Sequence, residues 1–243
     1  MRPRFAIACL DVEESVRADG FSRLAGLDEV GRGCWAGPVY AAAVILPSAC
    51  YRDRSLLAEV TDSKLLTAAK RERLSQDVLA LALGAAIGWA EAPVIDRLNI
   101  LGATRLAMQA ALEALQGPAE VGSAAAGGRR LTSAAVPADF LLIDALRLPQ
   151  VPLPQRAVVR GDRSCLAIAA ASIVAKVARD ADITGRSLSG GIDPAFALAA
   201  NKGYGTRRHL LALRAHGLSP LHRRSFAPVA QLELVLTGPA TGA

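Results

Sequence analysis

The sequence predicts an α/β layered fold. Short apolar runs of strand composition alternate along the chain with segments whose apolar residues recur at helical period. Glycine and proline punctuate the boundaries between them. At 243 residues the chain can bury a full core in one domain.

Residues 1–22 are mixed in character, end near Gly20, and read as a loosely ordered arm. Residues 24–27 and 39–46 read as strands joined by a glycine-rich turn, with Pro47 closing the second. After Thr61-Asp62-Ser63-Lys64, the positions Leu74, Val78 and Leu81 recur near helical period, with Lys70, Arg71 and Arg73 on the wet side. Residues 84–90, with Ile87 and Trp89 between small neighbours, read as a strand. Leu101, Thr104, Met108, Ala111, Leu112 and Leu115 make one helical face, which Gly117-Pro118 stops. Composition then turns to Ala, Gly and Ser, so residues 116–138 read as a flexible insertion. Residues 140–143 form a compact apolar strand ended by Asp144, and Val158-Val159 is a second apolar fragment before Arg160-Gly161-Asp162. Residues 166–177 are alanine-rich and apolar, as suits a helix buried on most sides. Thr206 caps a further helix, with Leu210, Leu211 and Leu213 inside and Gly217 past its end. Residues 230–243 are left as a tail.

Charge and cysteine usage narrow the function. A net charge of +6 and a pI near 9.5 point to a polyanionic partner, nucleic acid first and an anionic membrane surface second. The longest uncharged stretch, 78–90, is too short and too glycine-broken to cross a bilayer, and the apolar run 5–10 is shorter than a signal-peptide core. A cytoplasmic location without membrane association is expected. Cys9, Cys34, Cys50 and Cys165 form no CxxC pair, which suits free thiols in a reducing compartment. His209, His216 and His222 form no HExxH pattern, which argues against a zinc hydrolase.

Asp28-Glu29-Val30-Gly31-Arg32-Gly33 carries the most chemistry. Adjacent anions resist burial unless a cation or a tight hydrogen-bond network compensates, and a divalent metal held against a phosphate would do so. The glycines let backbone N–H groups approach a ligand closely. Asp28 and Asp144 each close an apolar run and Asp162 precedes a helix; in open α/β sheets ligands gather at the carboxyl ends of strands. Convergence of Asp28, Glu29, Asp144 and Asp162 would give an oxygen-only site suited to Mg²⁺ or Mn²⁺. Taken singly, Asp162 reads equally as a helix N-cap and Asp144 as the start of a turn.

The surrounding segments resemble the bacterial ribonuclease HII family of type 2 ribonucleases H. The matching stretches run from Gly26-Leu27-Asp28-Glu29-Val30-Gly31-Arg32-Gly33 through Gly37-Pro38-Val39, Asp62-Ser63-Lys64, Asn99-Ile100-Leu101, Leu142-Ile143-Asp144 and Gly161-Asp162. The segment 168–180 (IAAASIVAKVARD), Lys202-Gly203-Tyr204-Gly205-Thr206 and His222-Arg223-Arg224-Ser225-Phe226 follow in family order, so the resemblance spans about 24–228. It implies a ribonuclease H-like fold, a mixed five-stranded sheet flanked by helices with a C-terminal helical part, in a catalytic domain at 23–229.

The resemblance also implies endonucleolytic cutting of the RNA strand of RNA–DNA hybrids, and cutting 5′ to single ribonucleotides embedded in duplex DNA, leaving 3′-hydroxyl and 5′-phosphate ends. By it, Asp28, Glu29, Asp144 and Asp162 are the metal-binding catalytic carboxylates, on a two-metal scheme with Mg²⁺ or Mn²⁺. Gly31, Arg32 and Gly33 become the loop that reads a ribose 2′-hydroxyl, the one group that marks a ribonucleotide in DNA. Tyr204 becomes the aromatic that stacks on the following sugar, and Ser63, Lys64, Asn99 and Lys176 become phosphate contacts. A half-buried aromatic and solvated lysines are the plainer alternatives. Arg207, Arg208, Arg223 and Arg224 are expected to extend the duplex-binding face.

Two departures stand out. Ala145 replaces a family glycine after the third carboxylate and would be strained at positive φ by about 1 kcal/mol. Arg160 replaces a lysine and keeps its charge. Residues 231–236 (QLELVL) resemble a sliding-clamp docking peptide; the alternative is an amphipathic end packed on the domain. Among rivals, ribonuclease HIII normally carries a large extra N-terminal domain. A non-catalytic hybrid-binding protein on the same fold would gain nothing from an acidic cluster, and a resolvase-like nuclease would lack the tyrosine and glycine-loop segments. A monomer is expected.

Overall fold

A computed structural model describes residues 10–188 and 194–237, with side chains to 234. Seven strands, β1 (Leu24–Val30), β2 (Val39–Ile45), β3 (Gly84–Ala90), β4 (Glu120–Gly122), β5 (Ala126–Arg130), β6 (Phe140–Asp144) and β7 (Gln155–Val158), lie in the order β4-β5-β3-β2-β1-β6-β7. The run β3-β2-β1-β6-β7 is the mixed five-stranded sheet the sequence implies. In it β2 is antiparallel to both neighbours, while β6 and β7 are parallel to β1.

Helices cover both faces: α1 (Asp11–Ala18), α2 (Ser48–Arg52), α3 (Ala68–Leu81), α4 (Ala92–Gln116), α5 (Gly161–Ser164), α6 (Leu166–Leu188), α7 (Leu198–Asn201), α8 (Arg207–His216) and α9 (Ala227–Thr237). Because side chains alternate along a strand, β2 feeds two cores. Tyr40, Ala42 and Val44 join Ile173 and Val174 of α6 on one face. Val39, Ala41, Ala43 and Ile45 join Met108 and Leu112 of α4 on the other. The small residues of β1 and α6 allow close approach: a Cβ on Gly26 would fall 2.1 Å from the Ala167 carbonyl carbon. A satellite core of Ala36, Ile183, Phe196, Leu198, Leu213 and Leu232 seats the C-terminal helices beside the β1–β2 turn.

Three expectations are corrected. Residues 116–138, read as a flexible insertion, hold the β4–β5 hairpin, and β5 pairs along β3 from Ala86↔Arg130 to Ala90↔Ala126. Their glycines serve close packing: a Cβ on Gly128 would lie 2.2 Å from the Ala110 carbonyl oxygen of α4. The described part of the 1–22 arm is helical, with Val16 buried. From it the Glu13 carboxylate accepts the Leu166 N–H at 2.5 Å and the Ala167 N–H at 3.3 Å, capping α6. The predicted helix over 101–115 begins earlier, at Ala92, and is broken at Asn99 (φ 57, ψ 171). Residues 1–9, with Cys9, and the end of the 230–243 tail lie outside the described residues. Cys34, Cys50 and Cys165 are free and buried, and no described helix is long and apolar enough to cross a membrane.

Candidate active site

Strand register assembles the carboxylates. β1 and β6 run parallel with Leu27 beside Ile143, so the next residues, Asp28 and Asp144, stand together at the carboxyl ends of the two strands. Carboxylate oxygens of Asp28, Glu29 and Asp144 all lie within 4.8 Å of one another. Asp162 falls outside that group, but shares with Asp144 the wall of a cavity of about 430 Å³, lined also by Asp62, Lys64 and Arg163. The Gly161 N–H donates to Asp144 Oδ1 at 2.7 Å, tying the third carboxylate to the turn that carries Asp162. Backbone on both sides of this turn is left-handed at non-glycine residues, Ala145 (φ 50) and Arg160 (φ 55). The positive φ expected from the glycine-to-alanine departure is therefore present.

Charge crowding follows. Burial raises Asp28 well above the ordinary carboxylate range, and Glu29 and Asp144 push it further, against a hydrogen bond from Ser172. Burial also raises Glu29, although Arg32 opposes it with a hydrogen bond to Oε1 at 3.1 Å. Asp162 is raised by burial and then by Asp62 and Asp144. Glu29 Oε2 is buried without a hydrogen-bond partner. An orphaned carboxylate oxygen, beside two more carboxylates and with no sulfur or imidazole in the group, fits a hard divalent cation.

Beside this cluster the chain turns through Gly31-Arg32-Gly33. Gly31 sits at φ +91, and a Cβ there would lie 2.2 Å from Arg179 Nε; the Cβ position of Gly33 has nothing within 4 Å. Inward-facing carbonyls hold the loop down. Arg179, fully buried, donates to the carbonyls of Pro38 (2.9 Å), Lys202 (3.0 Å) and Ala36 (3.3 Å). Arg223 donates to those of Gly37 (2.9 Å) and Arg32 (3.0 Å). The expectation that Arg223 extends a duplex-binding face is thus corrected: it is fully buried, and desolvation lowers its pKa to about 10. Arg224 is exposed and paired with Glu233, while Arg207 and Arg208 are exposed.

Tyr204 is 41% exposed. Lys176 Nζ lies 6.0 Å from its ring centroid and 2.8 Å from Asp180 Oδ1. Lys64 is exposed at the cavity mouth, where its charge partly offsets the rise at Glu29 and Asp162. The other two expected phosphate contacts make hydrogen bonds within the chain, Ser63 in the interior and Asn99 at the surface. Ser63 is buried with Oγ 2.9 Å from Ser172 Oγ, which continues the network to Asp28. Asn99 Oδ1 accepts the N–H groups of Leu101 (2.9 Å) and Gly102 (3.1 Å), capping the second part of α4.

Sequence reasoning missed Arg179, Asp62 and Ser172. Asp62 is 1% exposed and accepts from Lys64 N (2.9 Å) and from Arg163 Nε (3.0 Å) and Nη2 (2.8 Å), which orients the Lys64 turn toward the cavity. All three lie inside the segments that carry the resemblance, but only tertiary packing distinguishes them from their neighbours.

The ribonuclease HII family model matches residues 25–229, a span that encloses the acidic cluster, the glycine loop and Tyr204. The chain belongs to the ribonuclease HII family. A ribonuclease HII of Chloroflexus aurantiacus is 48% identical over 227 residues, 93% of this chain and 97% of that protein. Among solved structures, the ribonuclease H2 of Pyrococcus horikoshii superposes with a TM-score of 0.64 at 20% identity, over 89% of this chain and all of that one. The ribonuclease HII in complex with PCNA from Archaeoglobus fulgidus gives 0.61 at 21% identity, over 86% and 96%. Ribonuclease HII enzymes are metal-dependent endoribonucleases acting on RNA–DNA hybrids, and the acidic cluster supplies this chain with the corresponding donor set.

Proposed function

We propose that this ribonuclease HII cuts both RNA–DNA hybrids and duplex DNA carrying a single ribonucleotide, on the 5′ side of the ribonucleotide, leaving 3′-hydroxyl and 5′-phosphate ends. The observation that carries this is that β1, which brings Asp28 and Glu29 beside Asp144, runs directly into the Gly31–Arg32–Gly33 loop. A scissile phosphate at the carboxylates would leave its neighbouring sugar against the loop.

Asp28, Glu29 and Asp144 would hold the divalent cations, Mg²⁺ or Mn²⁺, with Asp162 on the adjoining wall. Such a pair, when bound, supplies an activated water and stabilises the entering and departing oxygens. The chain's own residues do the rest. Gly33 leaves room for a sugar edge beside the loop backbone, as recognition of a 2′-hydroxyl requires. Exposed Lys64 faces the carboxylates across the cavity, where a phosphate would neutralise it. Tyr204, with Lys176 beneath its ring, offers a stacking platform for the next sugar. For residues 231–236 packing on the domain is favoured over clamp docking, because Leu232 is buried in the satellite core. The PCNA complex is a property of the Archaeoglobus protein.

The test is a DNA duplex bearing one ribonucleotide, incubated with Mg²⁺ or Mn²⁺. Wild type should nick it 5′ to the ribonucleotide, and Asp28→Asn should lose at least about 10³-fold in rate. Equal nicking by both proteins, or none by wild type, would reject the proposal.

A further inference from the structure

His209 and His222 belong to no part of the reaction described above, yet both are buried and joined ring to ring beneath the Tyr204 segment. Their Nε2 atoms lie 2.9 Å apart, a bond that needs a single proton between them. At one end the Ser219 backbone N–H, which can only donate, points at His222 Nδ1 from 2.9 Å, and the Ser219 hydroxyl, also at 2.9 Å, is free to donate alongside it. That nitrogen must therefore be bare, and the His222 proton must sit on Nε2. The Ser219 carbonyl, farther off at 3.3 Å, would need the opposite tautomer. At the other end the Tyr204 carbonyl, which can only accept, lies 3.0 Å from His209 Nδ1. The His209 proton must be there, leaving its Nε2 bare to accept from His222. Both ends impose the same order: Ser219 N–H to His222, His222 to His209, His209 to Tyr204.

We infer that His209 and His222 form a proton-ordered strut that positions Tyr204 against the Gly31–Pro38 loop, and so act as positioning residues for ribonucleotide recognition. Three successive carbonyls of the Tyr204 segment are held by different elements. Lys202 is held by Arg179 of α6 (3.0 Å), Gly203 by the Trp35 N–H (2.8 Å), and Tyr204 by His209 of α8 (3.0 Å) together with the Thr206 N–H (2.8 Å). At the strut's far end, His222 bridges to Ala36 in the same loop. The two rings thus span the gap between the stacking aromatic and the loop proposed to read the sugar.

The strut holds only when both rings are neutral. A second proton would set two N–H groups against each other across 2.9 Å. The surroundings favour neutrality. Phe196 and Trp35 face the rings, at 4.9 Å from His222 and 5.8 Å from His209, with His216 beyond Phe196. Arg223 follows His222 in the chain, and Arg224 adds a cation near it. Burial and the partner ring hold His222 down to about 4, and burial lowers His209.

This inference rests on the role proposed for Tyr204, so its test has two arms. In the first, ¹⁵N-histidine NMR of the full chain at pH 7 should show His209 as the Nδ1–H tautomer and His222 as the Nε2–H tautomer. The same tautomer for both, or a charged ring, would overturn the strut. In the second, affinities are compared in Mg²⁺ for a single-ribonucleotide duplex and its all-DNA counterpart, in an Asp144→Asn background that does not cut. The affinity ratio cancels non-specific charge and any loss of folded protein. His222→Gln, His209→Gln and Tyr204→Ala should each lower it about tenfold, the worth of one good hydrogen bond. Each histidine change combined with Tyr204→Ala should lower it no further. With intact histidines the ratio should begin to fall only as pH is lowered toward about 4, where His222 takes up a second proton, and in His222→Gln it should not. An unchanged ratio in the histidine variants, additive losses, or a pH profile shared by wild type and His222→Gln would overturn the positioning role. A wild type without preference for the ribonucleotide would instead remove the reading of Tyr204, while the first arm would still decide the strut.

Discussion

Ala145 is a single residue under backbone strain beside a candidate metal ligand. Its φ of 50 places a Cβ-bearing residue in the left-handed region, which costs an L-residue about 1–2 kcal/mol. The hydrogen bond from Gly161 N–H to Asp144 Oδ1 holds the turn in place despite that cost. Ala145→Gly should raise unfolding free energy by about 1 kcal/mol in urea titration, the relief of strain exceeding the added unfolded-state entropy. Loss of stability on that change would mean the turn is relaxed with alanine. Arg179 and Arg223 show the same logic with charge. Each is buried among backbone carbonyls, so what keeps it in the interior is the number of loop acceptors it satisfies.

At the scale of elements, the β4–β5 hairpin shows why composition alone misleads. An Ala-, Gly- and Ser-rich run reads as loose because it offers little surface to bury, but small residues also let a strand and a helix approach to backbone contact. Gly128 is such a site, with α4 directly above it. Gly128→Ala should cost about 2 kcal/mol or more, since the clash is with backbone that cannot rotate away; a midpoint of denaturation equal to wild type would refute the packing. In α1 the missed signal was Glu13. An acid in an amphipathic arm reads as solvated, but here it is the cap of a helix more than a hundred residues downstream. The strands β1, β2, β3 and β6 and the helices α3, α6 and α8 were otherwise legible, because alternation and helical period follow from the local chain, whereas α2, α7 and α9, the last reaching into the expected 230–243 tail, were not. Where α4 breaks was not, because it depends on a positive φ at Asn99 that a local cap sustains.

For the whole molecule, the acidic cluster sets stability against function. The folded-state pKa of Asp28 is raised above its unfolded value by burial and then by Glu29 and Asp144. Its contribution is therefore fully present below the unfolded value, near 4, and is lost as pH rises through the folded value. Folding the metal-free protein at pH 7 therefore costs free energy at Asp28 relative to a side chain that does not titrate. Asp28→Asn should raise the metal-free melting temperature at pH 7, each kcal/mol regained appearing as roughly 2–4 °C. The gain should shrink as pH is lowered toward 4, and divalent cations should remove it by stabilising wild type alone. A variant no more stable than wild type at pH 7 without metal would contradict this account.

Of the candidate site, the Asp28, Glu29 and Asp144 carboxylates that the fold brings together were legible, because such chemistry needs particular residue types in ordered short segments. Which of the basic residues face outward was not, and Arg223 is the clear case, since two adjacent arginines look alike until a core forms around one of them. The amino-acid order by itself determined an alternating α/β chain, its family and the chemistry-bearing residues, because periodicity and motif are local properties. Only the tertiary structure decided that the insertion is a sheet edge, that Ser63 turns inward, that Arg223 is interior, and that two histidines meet in the core beside the Tyr204 segment. Those outcomes depend on which distant groups a side chain meets, and burial reassigns a polar group's role according to the partner it finds there.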